Sequence, residues 1–381
     1  MVSMLEHKPH AVRKRMLSHV YSKSFLLSSA FLRSTTTHIL QNRLLPYLNS
    51  CAVSETEVEV MVIFSAVAID INTAYIFGLK AAPNFTQDLD QCRRFLANYH
   101  AREPRMWWKQ EFAVITGFLI KLRRLFGIQR DAPRRLLESL FLQWCDRAAR
   151  IYSSMPGSRR NTTMKSTGLS EENEDDYPLV YSQLRSSIEQ LNSKHQIPVS
   201  PDQQRLEIAS ELLDLLSAGF ETSNMTMKDI VRRLSWNPTV QTALRNELRS
   251  LEHPFRCAKS DTEVLLPDPK AIDALPLLSA IVYETLRLHP PAQNGLPRLV
   301  PPGGCIVEGR FNIPGNVRVS AQAYSLHRNL EVFPDPESWR PERWIDADGK
   351  FITHGEMHRW WWAFGSGGRM CIGSQFAIYR K

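Results

Sequence analysis

The run Phe364-Gly365-Ser366-Gly367-Gly368-Arg369-Met370-Cys371-Ile372-Gly373 places one cysteine among glycines, an arginine and an aromatic ring. A thiolate is the ligand form of cysteine, and it persists at neutral pH where positive charge, backbone N–H groups or a metal stabilise it. Gly367 and Gly373 lack a Cβ, so the backbone there can turn sharply and approach a flat macrocycle closely. The following Ser374-Gln375-Phe376-Ala377-Ile378-Tyr379 can start a helix, whose N–H groups would face the sulfur and set the potential of a bound iron. Arg369 is close enough to meet a carboxylate, and Phe364 would pack beside the ring and limit water. The bland alternative is an inert cysteine in a Gly-rich turn. Five fixed residues (Phe364, Gly367, Arg369, Cys371, Gly373) at this spacing arise by chance in about one chain in ten thousand of this length, which favours the chemical reading.

A second candidate lies in Leu212-Leu213-Asp214-Leu215-Leu216-Ser217-Ala218-Gly219-Phe220-Glu221-Thr222-Ser223. Gly219 in mid-helix costs about 1 kcal/mol relative to alanine, so a gain elsewhere should offset it. An acid and a hydroxyl one turn on, Glu221 and Thr222, could serve a widened groove at Ala218-Gly219 and relay protons, which reductive activation of dioxygen consumes. Taken alone, Glu221-Thr222 also reads as a solvated helix face. A third set begins at Tyr283-Glu284-Thr285-Leu286-Arg287-Leu288-His289-Pro290. Glu284 and Arg287 share a helix face at i and i+3, and Pro290 ends the helix. Phe333-Pro334-Asp335-Pro336-Glu337-Ser338-Trp339-Arg340-Pro341-Glu342-Arg343-Trp344 follows. An isolated exposed pair of this kind is worth little.

These residues need elements to position them, and helical periodicity dominates. Helices are expected over 10–25, 56–79, 86–102, 106–124, 132–153, 178–194, 203–233, 237–252 and 276–289. Short strands are expected only late, at 304–308, 310–313 and 317–320. Residues 155–177 are polar and charged and read as a mobile surface loop. The expected class is mainly α with a small β part. The 381 residues, 43% of them hydrophobic, can bury a large core. Six cysteines far apart, without a CxxC, fit a reducing compartment better than a disulfide framework. The net charge of +8 points to an acidic partner or an anionic membrane surface, hence a possible peripheral membrane contact. It does not point to nucleic acid, because zinc spacing and an aromatic-basic repeat are both missing. No signal peptide is visible, and the apolar run Val58 to Ile69, cut by Asp70, reads as a buried helix.

The cysteine loop resembles the haem-binding loop of the cytochrome P-450 family. Ala218-Gly219-Phe220-Glu221-Thr222-Ser223 resembles that family's oxygen-activation motif, and Glu284, Arg287 and Arg343 resemble its Glu–Arg–Arg network. The likeness extends from about residue 8 to 379, and Tyr324-Ser325-Leu326-His327-Arg328-Asn329 looks most like filamentous-fungal members. The resemblance implies an all-α prism around a buried haem b, as a single domain over 1–381. It implies that Cys371 is the axial iron ligand, that Thr222 and Glu221 serve oxygen activation, and that Phe364, Gly367, Arg369 and Gly373 shape the haem pocket. Arg298, in Leu296-Pro297-Arg298, stands where relatives put an arginine at a propionate. His10 and Lys14 match a His-x-x-x-Arg helix that also binds propionate, with lysine replacing the forked arginine. Arg15 is a possible substitute, and a solvated surface or an acidic-partner docking turn is the other reading of this stretch.

The implied activity is haem-thiolate monooxygenation of an apolar small molecule, as in fungal secondary-metabolite biosynthesis. Electrons would come from NADPH through a separate NADPH-cytochrome P-450 reductase, at the cytoplasmic face of the endoplasmic reticulum membrane. Against the family's pattern the chain looks cut short at both ends, so the alternative is a degenerate haem-binding fragment of such an enzyme. Ala292 and Asn294 are candidate substrate-pocket positions.

Overall fold

A computed structural model describes residues 7–101, 115, 117–118, 122, 132–155, 175–196, 198–253, 266–293, 295 and 297–380. Most of the helix expected over 106–124 lies outside the described residues, as do 156–174 of the expected loop, Cys257, Asn294 and Leu296. The chain forms two compact units: Met1–Val20 with Ser29–Phe220, and Tyr21–Ser28 with Glu221–Lys381.

The first unit contains α1 (His7–Ser18), α3 (Ala30–Ile39), α4 (Leu45–Val53), α5 (Val60–Phe77), α6 (Leu89–Ala101), α7 (Ala132–Ser154) and α8 (Leu179–His195). It also holds the first part of α9 (Pro201–Trp236), whose residues belong to the second unit from Glu221 onward. The helix expected over 10–25 is two helices, α1 and α2 (Lys23–Ser28). Ser22 interrupts it: its Oγ accepts the Phe25 N–H at 3.4 Å and restarts the helix. Helices α3 and α4 lie outside the expected set. A π-helical turn, Leu40–Leu44, joins them just before Pro46, whose missing N–H offsets the ladder and blurs the 3.6-residue period.

Helix α5 is the core of this unit and is buried almost all round, as its apolar run predicts. It is long and apolar enough to cross a membrane, yet 78% of it is buried inside the protein. Asp70, which cuts the run, is fully buried and satisfied. It accepts the Phe85 N–H at 2.8 Å, the Thr86 N–H at 3.0 Å and Arg43 Nη1 at 3.3 Å. Burial pushes this carboxyl's pKa upward, while those N–H groups and Arg43 pull against it.

The second unit contains α2, the remainder of α9, α10 (Pro238–Arg249), α11 (Pro269–Asp273) and α12 (Pro276–Leu288). After these come β1 (Arg298–Leu299), β2 (Cys305–Val307), β3 (Phe311–Ile313), β4 (Arg318–Val319), α13 (Ala323–Leu326), α14 (Glu356–Trp360) and α15 (Ser374–Tyr379). The strands form two antiparallel pairs, β1 with β4 and β2 with β3, with Arg298 opposite Val319 and Ile306 opposite Asn312. The mainly helical class with a small late β part is therefore correct; β1 is the strand the sequence reading did not include. The core of this unit gathers Ala280 from α12 with Val332, Phe333 and Trp344, and Tyr283, Phe351, Trp360 and Trp361 close around them.

Candidate functional site

Cys371 is exposed, whereas Cys51, Cys92 and Cys145 are buried. Burial pushes the Cys92 thiol up to about 12 and holds the Cys145 thiol well above its ordinary value, so neither offers a thiolate at neutral pH. The Cys371 N–H donates to the Phe364 carbonyl at 2.9 Å, which closes the loop into a ring of backbone. Gly365 and Gly367 have φ of 69°, a left-handed conformation that costs glycine little, and a Cβ on either would meet nothing within 4 Å. A Cβ built on Gly373 would lie 3.9 Å from Cys371 Sγ, so the sulfur sits over the start of α15. Arg369 is half-buried at the end of a 3₁₀ turn, Gly367–Arg369.

This open loop hangs from a closed anchor. Arg287 and Glu284 are both fully buried, and they pair through two bonds of 2.8 Å, Nε to Oε2 and Nη2 to Oε1. The remaining Arg287 donors meet the carbonyls of His327 at 2.9 Å, Pro336 at 2.8 Å and Ser338 at 3.2 Å. All five guanidinium N–H groups are thus engaged. Glu284 also accepts Arg343 Nε at 3.1 Å, Trp344 Nε1 at 2.9 Å and the Arg340 N–H at 2.9 Å. Arg343 does join the pair, and the network straps the segment 327–344 to α12.

Two residues connect this strap to the cysteine loop, and neither has a role in the sequence reading. His327 is fully buried. It takes the Trp362 N–H on Nε2 at 2.7 Å, so its proton is on Nδ1, which donates to the Arg287 carbonyl at 2.8 Å. Burial first, then the charges of Arg287 and Arg328, push the His327 pKa down to about 4. Trp361 stacks on Tyr283 at 4.2 Å between ring centroids and donates Nε1 to the Tyr283 carbonyl at 3.1 Å. It also meets Phe364 edge-on at 5.7 Å. The run Trp360-Trp361-Trp362 just ahead of the loop is the signal that could have found it.

Of the other expected site residues, Thr222 is exposed on α9, with its carbonyl accepting Thr226 Oγ1 at 2.9 Å, and Glu221 is half-buried. Arg298 lies on the exposed strand β1 and donates Nη1 to the Pro297 carbonyl at 3.2 Å. His10 is buried and Lys14 half-buried on α1, in the first unit. The neighbouring Arg13 pairs with Glu207 and, at 3.7 Å, with Glu211 on α9. Gly219 has a packing reason of its own: a Cβ there would lie 2.7 Å from Asn72 Nδ2 and 2.8 Å from its Oδ1. That close approach of α5 offsets the helix-propensity cost of this glycine.

Among the described residues no group of three or more His, Cys, Asp or Glu could hold a bare metal ion. An accessible cysteine sulfur on a glycine-lined loop instead suits a metal whose other ligands arrive with it in a flat macrocycle, and these residues fit a haem. The fold and the loop define a haem-thiolate protein. The cytochrome P450 family profile matches residues 41–380, and the chain belongs to that family.

Its similarity is to fungal members. It is 28% identical to the cytochrome P450 monooxygenase avaI of Aspergillus versicolor over 99% of this chain and 80% of that protein. It is also 28% identical to the cytochrome P450 monooxygenase ankB of Aspergillus thermomutatus, over 83% of this chain and 53% of that one. A crystal structure of a cytochrome P450, CYP102L1, superimposes with a TM-score of 0.64 at 18% identity, covering 99% of this chain and 74% of that one. The chain is thus a fungal-type member of a monooxygenase family.

Proposed function

We propose that the protein inserts one oxygen atom of dioxygen into an apolar small molecule of fungal secondary metabolism, with Cys371 as the axial ligand of haem b. Residues 1–381 would act as one haem domain. The observation that carries the proposal is the exposed thiol of Cys371 on a loop fixed from behind by Phe364, Trp361 and the buried Glu284–Arg287 pair. When bound, the haem supplies dioxygen activation driven by electron donation from the thiolate.

The chain's own groups then have separable tasks. Cys371 holds the metal. Gly367 and Gly373 let the backbone approach the ring, Phe364 packs beside the bound ring and limits water there, and Arg369 neutralises a haem carboxylate, with Arg298, His10 and Lys14 proposed for the same work. Thr222 would hold a proton at its hydroxyl for oxygen activation, and Glu221 would pass protons to it. The overall balance needs two electrons and two protons, with one oxygen atom entering the substrate and the other leaving as water. The electrons come from NADPH through a flavoprotein reductase, which we place with this protein at the cytoplasmic face of the endoplasmic reticulum. The net charge of +8 suits an acidic surface on that partner.

The test is the absorption spectrum of the expressed chain, reduced and bound to carbon monoxide. A Soret band typical of thiolate-ligated ferrous haem is expected, and Cys371→Ala should abolish it. Unchanged haem binding in that variant would sink the ligand assignment. Thr222→Ala should leave the band in place while diverting NADPH consumption from product to peroxide, and unchanged coupling would remove Thr222 from the relay.

A further inference from the structure

The second unit holds a half-buried cation at the end of the cysteine helix. Arg380 caps the C-terminus of α15, and its Nη2 donates to Ser223 Oγ at 2.6 Å. The guanidinium carbon lies 4.5 Å from the centroid of the Phe376 ring, and Nε and Nη1 are shielded from solvent. Tyr21 packs edge-on against the same ring at 5.9 Å and is itself buried. Burial first of all holds this phenol well above its ordinary value, and the Arg380 charge pulls the other way. Arg380 thus closes a helix of six residues whose other end lies under the sulfur, where a Cβ on Gly373 would stand 3.9 Å from Cys371 Sγ. Desolvation pushes Arg380 down to about 10, which leaves it charged at neutral pH.

We propose that Arg380 is a positioning residue for the thiolate centre, a partly shielded positive charge that favours the reduced iron and ties α15 to α9 next to Thr222. The proposal rests on Cys371 being the axial ligand. A ferric haem with a thiolate is neutral at its centre, and one electron makes it an anion. A fixed cation in a low-dielectric setting stabilises that extra charge and raises the potential. Ser223 keeps the guanidinium from swinging into solvent, where it would be screened.

Spectroelectrochemical titration of the haem-loaded protein tests this. Arg380→Met should make one-electron reduction on the order of tenfold less favourable, about 59 mV lower, while Arg380→Lys stays within about threefold of the parent because the charge remains. A residue that merely supported the fold would reduce haem loading in both variants and leave the potential of the loaded fraction unmoved; that result overturns the proposal. If Arg380→Met takes up no haem, Ser223→Ala replaces it. This variant should lower the potential more at high salt than at low salt, and a potential equal to the parent's at both overturns the proposal. A parent protein without the thiolate-type carbon monoxide band would instead overturn the Cys371 assignment and this proposal together.

Discussion

The Glu284–Arg287 anchor and the Cys371 loop lie in the same unit and are built on opposite principles. In the anchor every donor of Arg287 has an acceptor inside the chain, and both partners are fully buried. In the loop the sulfur is exposed and the glycines at 365 and 367 have open space where a side chain would stand. A buried ion pair is weak evidence for net stability, since desolvating two charges offsets most of their attraction. What a saturated pair does secure is geometry, because any shift leaves a charge unsatisfied. The anchor thus fixes the strap, and His327 and Trp361 carry that fixity to a loop whose own surface stays open to a partner group.

The largest effect should come from breaking the closed half. Arg287→Met leaves Glu284 buried with Arg343 and Trp344 unable to replace the lost fork, at a cost of about 3–5 kcal/mol. Urea unfolding followed by the fluorescence of Trp339, Trp344 and Trp361 would show it, and a loss under about 1 kcal/mol would mean that the anchor adapts rather than constrains. Arg287→Lys should recover only part, since an ammonium has three donors where the strap presents five acceptor contacts.

Next is the joint between the halves. His327 is neutral in the folded protein, with its pKa lowered to about 4 against about 6.5 in an unfolded chain. Because the folded value is the lower one, the unfolded state takes the proton first as pH falls. The stability it contributes is complete above pH 6.5, is lost progressively as pH falls toward 4, and amounts to about 3 kcal/mol across that window. Protonation would also set a proton against the Trp362 N–H that Nε2 now accepts. His327→Gln should flatten this part of the stability profile, and an unchanged slope would place the acid sensitivity elsewhere.

A smaller effect tests whether α9 has a similar joint in the first unit. Alanine at position 219 gains about 1 kcal/mol of helix propensity but places a Cβ 2.7 Å from Asn72 Nδ2. Overpacking of this kind costs about 1–3 kcal/mol, so Gly219→Ala should be neutral to destabilising, and pairing it with Asn72→Ala should restore the lost part. A stabilised single variant would mean that Asn72 simply turns away.

Much of the molecule was legible because its signals are local. The apolar period of α5, the prolines opening α10 and α12, and the turn residues between the strands each act within a few positions. The cysteine loop was legible because glycines, a thiol, an arginine and an aromatic ring at fixed spacing point to one kind of chemistry. What escaped depends on contacts between distant segments. His327 meets Trp362 and Arg287 across more than thirty residues, Arg380 meets Ser223 across 157, and no spacing rule encodes either. Gly219 read as a chemical groove, because sequence alone cannot show that an asparagine on another helix occupies the space. Helices α3 and α4 were lost through a change of phase: the π-turn before Pro46 shifts the period on which a helical reading depends.

The smallest stability effect should come from the residue with the largest functional one. Cys371→Ala removes a thiol that is exposed rather than packed in a core, so unfolding of the haem-free protein should change by no more than about 0.5 kcal/mol. Its Phe364 contact runs through the backbone N–H, which alanine keeps. Haem-loaded protein should behave differently, since a bound group stabilises the fold by mass action and the variant loses that gain. The informative quantity is the gap between the two preparations: wide for the parent, nearly closed for Cys371→Ala. A variant destabilised equally in both would mean that the sulfur is part of the scaffold, and that the open half of the comparison is as closed as the anchor behind it.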